Sequence, residues 1–284
     1  MIKSILVPLV GDAGDGSVLE MAHSVANHFQ AHIDALHVRK DPLQELAKLI
    51  TGDGIITQVL WDALEEDARE HNDNAKRSFA KFCEAHDVHV LNAPHFGGGE
   101  SASWLEVAGN LPAQLGARGR YHDLIVSGRD CLSAGELGDV LVRSGRPMLV
   151  CSKRKPPGPL FGTMAVAWKD TANSAHAMTA AMPFLHAAKQ IVILSATEGQ
   201  GNTSAMADAD RIAVNFRWHG IEPEIRCLSS SDDIGQCLVD AAVRAGAGLL
   251  VMGGYSHSRA REFVLGGATR YMLEASDFPV LIVH

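Results

Sequence analysis

The stretch that decides the fold is Leu249-Leu250-Val251-Met252-Gly253-Gly254, in which four apolar residues run directly into two glycines. A strand that is apolar on both faces is typical of a parallel sheet with helices on both sides. Glycine at the exit of such a strand lets the backbone pass close to a ligand. The stretch therefore predicts an open α/β sheet with a ligand-binding turn at the carboxyl end of one strand.

Outward from this stretch, strand-like and helix-like segments alternate along the chain. Apolar residues recur three and four apart at 205–219 and 234–245, as in helices that pack on a sheet. The pattern occurs twice, so each half is predicted to be a doubly wound α/β domain with a five-stranded parallel sheet flanked by helices. The strands are expected at 5–10, 32–38, 88–92, 124–127 and 147–151, and again at 164–168, 190–195, 222–228, 249–252 and 279–283.

A basic and proline-rich segment, Ser152-Lys-Arg-Lys-Pro-Pro-Gly-Pro159, separates the two copies. Neither a helix nor a central strand accepts this density of proline, so the segment is predicted to be a linker. Residues 41–60 and 92–103 have no counterpart in the second half and are predicted to be excursions of the first. The expected organisation is a first domain at 1–151, a linker at 152–160 and a second domain at 161–284.

Composition and charge exclude several classes of protein. No apolar run reaches the roughly 20 residues of a membrane helix, and the N-terminus MIKSILVPLV has no signal-peptide layout, so a cytoplasmic protein is expected. The net charge is −8, with 13 Lys and Arg against 21 Asp and Glu in residues 1–151 and 12 against 12 in residues 152–284. Such a chain would not attract a nucleic acid. The five cysteines form no CxxC pair and predict no disulfide framework.

The glycines after the decisive strand continue into the register Gly253-x2-Ser256-x9-Gly266-Gly267. This register resembles the universal stress protein family, in which an apolar strand is followed by G-x2-G-x9-G-[S/T], a loop that binds the phosphates of ATP. The resemblance extends across the second half, including the strand and helix at 166–177 and the final strand at 278–283.

The resemblance implies an adenine nucleotide alpha hydrolase-like fold. It also implies a stress-response sensor or regulator that binds ATP or another adenine nucleotide, with or without Mg²⁺. In the family, single domains dimerise mainly through their last strands. The two halves of this chain are therefore expected to form an intramolecular pseudo-dimer that joins 147–151 to 279–283, and a homodimer of the whole chain is a further expectation.

Three residues depart from the family pattern in the second half. Ser256 stands where the family has glycine, and a left-handed backbone there would cost the serine about 1–2 kcal/mol. Gly267 replaces the hydroxyl residue that touches phosphate, and Lys169 replaces the aspartate beside the nucleotide. These departures predict weaker binding than is usual in the family.

The predicted site gathers residues from three strand ends and from the loop. Trp168 is expected either to wall the adenine pocket or to pack in the core, and His257 either to face a phosphate or to line the turn. The spacing His86-x2-His89-x5-His95 is interpreted as surface histidines, and neither a metal site nor a catalytic residue is predicted. The expected nucleotide-binding residues are Ala167, Trp168, Lys169, Ala196, Met252, Gly253, Ser256, His257, Gly266, Gly267 and Ala268.

The first half lacks the corresponding loop. Only 19 positions separate Gly128 from Pro147, whereas 26 separate Gly253 from Pro279. Val10 also stands at the acidic position of the first strand. At most one nucleotide per chain is therefore expected, bound by the second half.

Two alternatives to a nucleotide sensor follow from the same residues. The departures at Ser256, Gly267 and Lys169 also fit a nucleotide-free interaction scaffold of this fold. An enzyme is disfavoured, because the chain has no G-x4-G-K-[S/T] loop, no S-G-G-x-D-S segment after a first strand, and no Ser-His-Asp set that spacing alone identifies. Any ATP hydrolysis is expected to be slow.

Overall fold

A computed structural model describes residues 1–40, 58–93, 99–152, 156–198, 202–230, 233–254 and 267–284. The chain forms two compact units, Ile2–Cys131 and Leu132–His284. Both alternate strands with helices, as the sequence predicts.

The described strands of the first unit form one parallel sheet in the order β3-β4-β2-β1-β5. β1 lies in its interior and is almost wholly buried, which agrees with its apolar sequence. The elements are β1 Ser4–Pro8, α1 Asp15–Phe29, β2 His32–Arg39, α2 Gln58–His86, β3 His89–Val90, β4 Ser101–Ala108, α3 Leu111–Gly119 and β5 Leu124–Ser127.

The described strands of the second unit run in the order β6-β11-β10-β7-β8-β9. All neighbouring pairs are parallel except β6 with β11, which is antiparallel. The elements are α4 Ala134–Ser144, β6 Met148–Val150, β7 Thr163–Trp168, α5 Ala172–Ala187, β8 Gln190–Glu198, α6 Asn202–Trp218, β9 Glu224–Ser230, α7 Ile234–Arg244, β10 Ala247–Gly253, α8 Gly267–Glu274 and β11 Val280–Val283.

Side-chain caps fix where three helices of the second unit begin. Ser133 and Glu136 form a reciprocal capping box at the start of α4. Thr171 accepts a hydrogen bond from the Ser174 N–H at the start of α5, and Asp233 accepts one from the Gln236 N–H at the start of α7. The two latter caps place helix N-termini directly after β7 and β9.

The strand β4 corrects the sequence-based account of the first half. The prediction made 92–103 an excursion and put a strand at 88–92, whereas Ser101–Ala108 is a full strand and β3 is only His89–Val90. β4 pairs with β2 in parallel along its whole length, from Ser101 opposite His32 to Ala108 opposite Arg39. Of the predicted excursion at 41–60, residues 41–57 lie outside the described residues. Its last three residues belong to α2, which begins at Gln58.

The pairing of β6 with β11 joins the last strands of the two sequence copies, as the resemblance implies. Val150 lies opposite Val280, Leu149 opposite Leu281, and Met148 opposite Ile282. All of these side chains are buried. This pairing explains why the second compact unit begins at Leu132, ahead of the predicted linker at 152–160, whose place as a domain boundary stays a prediction.

Over the part of the chain that the structure describes, no helix is both long enough and apolar enough to cross a membrane.

Candidate functional site

The exit of β10 is packed directly against the first turn of α5. A Cβ atom on Gly253 would lie 2.7 Å from the carbonyl carbon and oxygen of Asn173 and 2.8 Å from the backbone nitrogen of Ser174. No other residue fits at position 253 without displacing that backbone. The decisive glycine therefore brings a strand end and a helix N-terminus into contact.

Gly254, the next residue, packs against the end of β11 and against α4. Its N–H donates to the carbonyl oxygen of Val283 at 2.7 Å, which ties the exit of β10 to the end of β11. A Cβ atom at position 254 would lie 3.0 Å from Cγ2 of Ile282 and 3.2 Å from Cδ2 of Leu141. Close packing by itself therefore accounts for both glycines.

Asn173 links the start of α5 to the exit of β10, and it is a residue that the predicted site omits. Its side-chain Nδ2 donates a short hydrogen bond to the carbonyl oxygen of Gly254. Beside it, the Thr171 N–H donates to the carbonyl oxygen of Lys169 at 2.7 Å, which fixes the turn from β7 into α5. An Asn at the second position of a helix gives no sequence signal for a contact 81 residues away.

The predicted residues on β7, β8 and β10 come together at one edge of the sheet. β7 lies between β8 and β10, with Ala167 opposite Met252 and Trp168 opposite Ser195, the neighbour of Ala196. All of these strands are parallel, so their carboxyl ends share this edge. The three strand ends therefore lie side by side, and their role in binding a nucleotide stays a prediction.

Trp168 is buried at the end of β7, with 9% of its surface exposed. Its indole Nε1 has no hydrogen-bond partner among the described residues. A buried indole N–H usually finds an acceptor, because leaving it unpaired costs free energy. The indole is therefore a buried donor at the end of β7, next to the exposed Lys169.

The helix α8, which follows the predicted loop, is anchored against α7. A Cβ atom on Gly235 would lie 2.5 Å from Cβ of Tyr271, and the Tyr271 hydroxyl donates a short hydrogen bond to Gln236. A Cβ atom on Gly267, the first residue of α8, would meet no atom of the described residues within 4 Å, and Ala268 follows it in the same turn. The described residues therefore leave room for a larger side chain at position 267.

The first turns of α5 and α8 contain no acidic residue. Each N-terminus carries the partial positive charge of the helix dipole, which favours an anion, and at α5 Thr171 already caps the Ser174 N–H. The predicted loop residues Ser256, His257 and Gly266 lie outside the described residues.

The corresponding turn of the first unit is filled by its own carboxylates. Asp15 accepts hydrogen bonds from the Val10 N–H at 3.0 Å and the Gly11 N–H at 2.8 Å, and only 2% of Asp15 is exposed. Burial raises the pKa of Asp15, although the two backbone hydrogen bonds oppose that shift. Asp12 accepts a further hydrogen bond, from the Gly14 N–H at 2.7 Å. The N–H groups of Val10, Gly11 and Gly14 are therefore already hydrogen-bonded.

The turn after β5 also closes on itself. The Cys131 thiol lies 3.0 Å from the Ser127 hydroxyl and donates to the carbonyl oxygen of Gly128 at 3.2 Å. Burial raises the pKa of Cys131 to about 11, so the thiol stays neutral at physiological pH. The turns after β1 and β5 therefore have little in common with the exit of β10.

Comparison with known proteins matches residues 165–284 to the family model described as the universal stress protein family. A universal stress protein from Archaeoglobus fulgidus DSM 4304 is 18% identical, with 99% of this chain and 95% of that chain covered and a TM-score of 0.70. A putative universal stress protein from Pseudomonas aeruginosa UCBPP-PA14 is 16% identical, with 99% and 93% covered and a TM-score of 0.60. A universal stress protein in complex with cAMP is 19% identical, with 54% and 99% covered and a TM-score of 0.30. A search of the curated proteins found no match.

Proposed function

We propose that this chain is a stress-response sensor that binds an adenine nucleotide, because residues 165–284 match the universal stress protein family model and the whole chain shares the fold of a solved universal stress protein. The proposed ligand is ATP or a related adenine nucleotide, with or without Mg²⁺. The site is the carboxyl edge of the second sheet, between the exits of β7 and β10.

The observation that carries the proposal is the contact between Gly253 and the first turn of α5. This contact sets a helix N-terminus, without an acidic residue of its own, beside the strand exit from which the family's phosphate loop departs. Backbone N–H groups at such a junction bind phosphate through hydrogen bonds and the helix dipole. The turn of the first unit has its N–H groups occupied by Asp15, which supports a single site per chain.

The base and the phosphates would meet different residues. Trp168 offers a buried indole edge with an unpaired donor, which suits an adenine ring. Lys169 is exposed next to it and carries the positive charge that a phosphate attracts. Lys169 thus takes the position of the family's aspartate with the opposite charge.

The direct test is to identify by mass spectrometry the nucleotide that stays with the full-length protein through purification. A thermal shift titration with ATP, ADP, AMP and cAMP then ranks the ligands, since a ligand that binds only the folded state raises the melting temperature. Co-purified adenine nucleotide and a concentration-dependent rise support the proposal. No nucleotide and no shift at millimolar ligand would refute it.

Lys169→Ala tests the phosphate contact. Loss of one charge-assisted contact is expected to weaken ATP binding about tenfold. Lys189→Ala is the matched control, because Lys189 is also exposed but precedes β8 at the opposite edge of the same sheet. Equal affinities of the two variants would remove Lys169 from the site.

A nucleotide-free scaffold of the same fold is the second candidate. The packing around Gly253 and Gly254 favours it, because close contacts explain both glycines without a ligand. This function predicts that the melting temperature is independent of every adenine nucleotide, while a protein partner captured from the native host still binds.

A further inference from the structure

Three polar side chains of the first unit form a continuous hydrogen-bonded chain. The Ser101 hydroxyl lies 2.8 Å from Nδ1 of His32, and Nε2 of the same ring lies 3.2 Å from Oδ1 of Asp34. His32 and Ser101 are the first residues of β2 and β4 and are opposite one another in the register of these strands. The sheet itself therefore sets the serine beside the histidine.

The acceptor at Asp34 determines which ring nitrogen of His32 carries the proton. A carboxylate only accepts hydrogen bonds, so Nε2 must be the protonated nitrogen that donates to Asp34. In the neutral ring, Nδ1 then has a free lone pair and accepts the Ser101 hydroxyl proton. A histidine in this state, between a serine and a carboxylate, is a general base for that serine.

A second histidine, His122, contacts the other oxygen of Asp34. Its Nδ1 lies 2.9 Å from the carbonyl oxygen of Arg118 and its Nε2 lies 2.8 Å from Oδ2 of Asp34. His122 is buried, so this contact fixes the orientation of the carboxylate. Asp34 thus contacts His32 through Oδ1 and His122 through Oδ2.

Asp34 stays ionised in this arrangement. Burial alone would raise the pKa of its carboxyl, but hydrogen bonds from His122, His32 and Ser103 outweigh burial and hold it well below its ordinary value. The group remains reachable from solvent, since 29% of the His32 side chain and 27% of the Asp34 side chain are exposed.

We propose that Ser101 is an activated nucleophile, with His32 as its general base and Asp34 as the group that orients the base, and that it accepts acyl groups from small carboxylic esters. In the first step the Ser101 oxygen bonds to the ester carbonyl carbon while its proton passes to Nδ1 of His32. The carbon–oxygen bond to the alcohol then breaks, and the alcohol leaves with that proton. Water, deprotonated by the same nitrogen, releases the carboxylic acid and restores Ser101.

This site is separate from the proposed nucleotide site. It lies in the first unit at the amino ends of β2 and β4, whereas the nucleotide site lies at the carboxyl ends of strands in the second unit. Loss of nucleotide binding would leave the inference standing, and loss of Ser101 reactivity would leave the proposed function standing.

The test is covalent labelling of the full-length protein with diisopropyl fluorophosphate, followed by peptide mass spectrometry. An oxygen–phosphorus bond forms at the nucleophile, the phosphorus–fluorine bond breaks, and fluoride leaves while His32 takes the proton. A single adduct on Ser101 is expected. Ser101→Ala should abolish it, and His32→Gln should slow it about 100-fold, the usual contribution of a general base.

Ser24→Ala is the control, because Ser24 is an exposed serine on α1 of the same unit, and its hydroxyl donates to the carbonyl oxygen of Glu20 rather than to a histidine or to Asp34. Circular dichroism of each variant verifies that the fold is kept. The control variant should be labelled at the wild-type rate. It should also hydrolyse p-nitrophenyl acetate, whereas Ser101→Ala should not. Labelling on another serine, no labelling, or equal rates in wild type and His32→Gln would each overturn the proposal.

Discussion

The side-chain amide of Asn173 donates a hydrogen bond to the carbonyl oxygen of Gly254, so the first turn of α5 is tied to the exit of β10. This bond joins the two elements between which the proposed nucleotide lies. The bond orders the proposed site before a ligand binds, which reduces the conformational entropy lost on binding.

Asn173→Ala is expected to lower the free energy of unfolding by about 1 kcal/mol, the usual net value of one hydrogen bond. It should also weaken nucleotide binding, because the turn after β7 loses its attachment to β10. Urea unfolding and a fluorescent ATP analogue measure the two effects. Asn27→Ala, at an exposed position of α1 in the other unit, should change neither quantity.

Gly253→Ala should destabilise the fold by about 1–3 kcal/mol, because its Cβ would overlap the backbone of Asn173. Gly267→Ala is the comparison, since a Cβ there meets no atom within 4 Å. Its free energy of unfolding should stay within about 0.5 kcal/mol of wild type. Equal urea midpoints for the two variants would contradict the packing described at the exit of β10.

Gly267→Ser should raise the affinity for ATP about tenfold, because it restores the hydroxyl that touches phosphate in the family and adds a charge-assisted hydrogen bond. None of the described residues lies within 4 Å of a Cβ atom at position 267, so they leave room for the side chain. Isothermal titration calorimetry gives the comparison with wild type. Gly16→Ser, in equally open space on α1, is the control that should leave binding unchanged.

Asp34→Asn should lower the stability of the first unit at pH 7 by about 2 kcal/mol, because the buried His122 loses its carboxylate partner. The folded state depresses the pKa of Asp34, so its contribution is complete above the unfolded value of about 3.9 and declines as the pH falls toward the folded value.

The stability gap between wild type and Asp34→Asn is therefore expected to be wide at pH 7 and narrower at pH 3. Urea unfolding at the two pH values measures it. Asp139→Asn removes only an exposed pair with Arg143 and should cost less than about 0.5 kcal/mol at either pH. A gap that widened on acidification would contradict the network around Asp34.

The sequence predicted the fold and the resemblance over 165–284 because their signals are local. Apolar runs such as Leu249–Met252 and the glycines after them are read within a few residues, and the family model confirms the resemblance over 165–284. β4 was missed because it follows the glycines at 97–99, and its sequence Ser-Ala-Ser-Trp-Leu-Glu-Val-Ala lacks the continuous apolar run of a strand such as β10.

Contacts across long sequence intervals could not be predicted. Asn173 meets Gly254 from 81 residues away, and His122 meets Asp34 from 88 residues away. Spacing carries no information about either pair, because strand order and register bring them together. By contrast, the residues at the ends of β7 and β10 were predictable, since parallel strands put their carboxyl ends on one edge.

The antiparallel pairing of β6 with β11 has a consequence for how a duplicated gene of this kind can evolve. β6, the last strand of the first copy, pairs with β11 of the second copy. A deletion that removed β6 would therefore leave β11 with an edge of unpaired backbone groups. Such a product would have to recruit another strand or aggregate. The final strand of the first copy is therefore expected to be kept in any shortened chain that stays in solution.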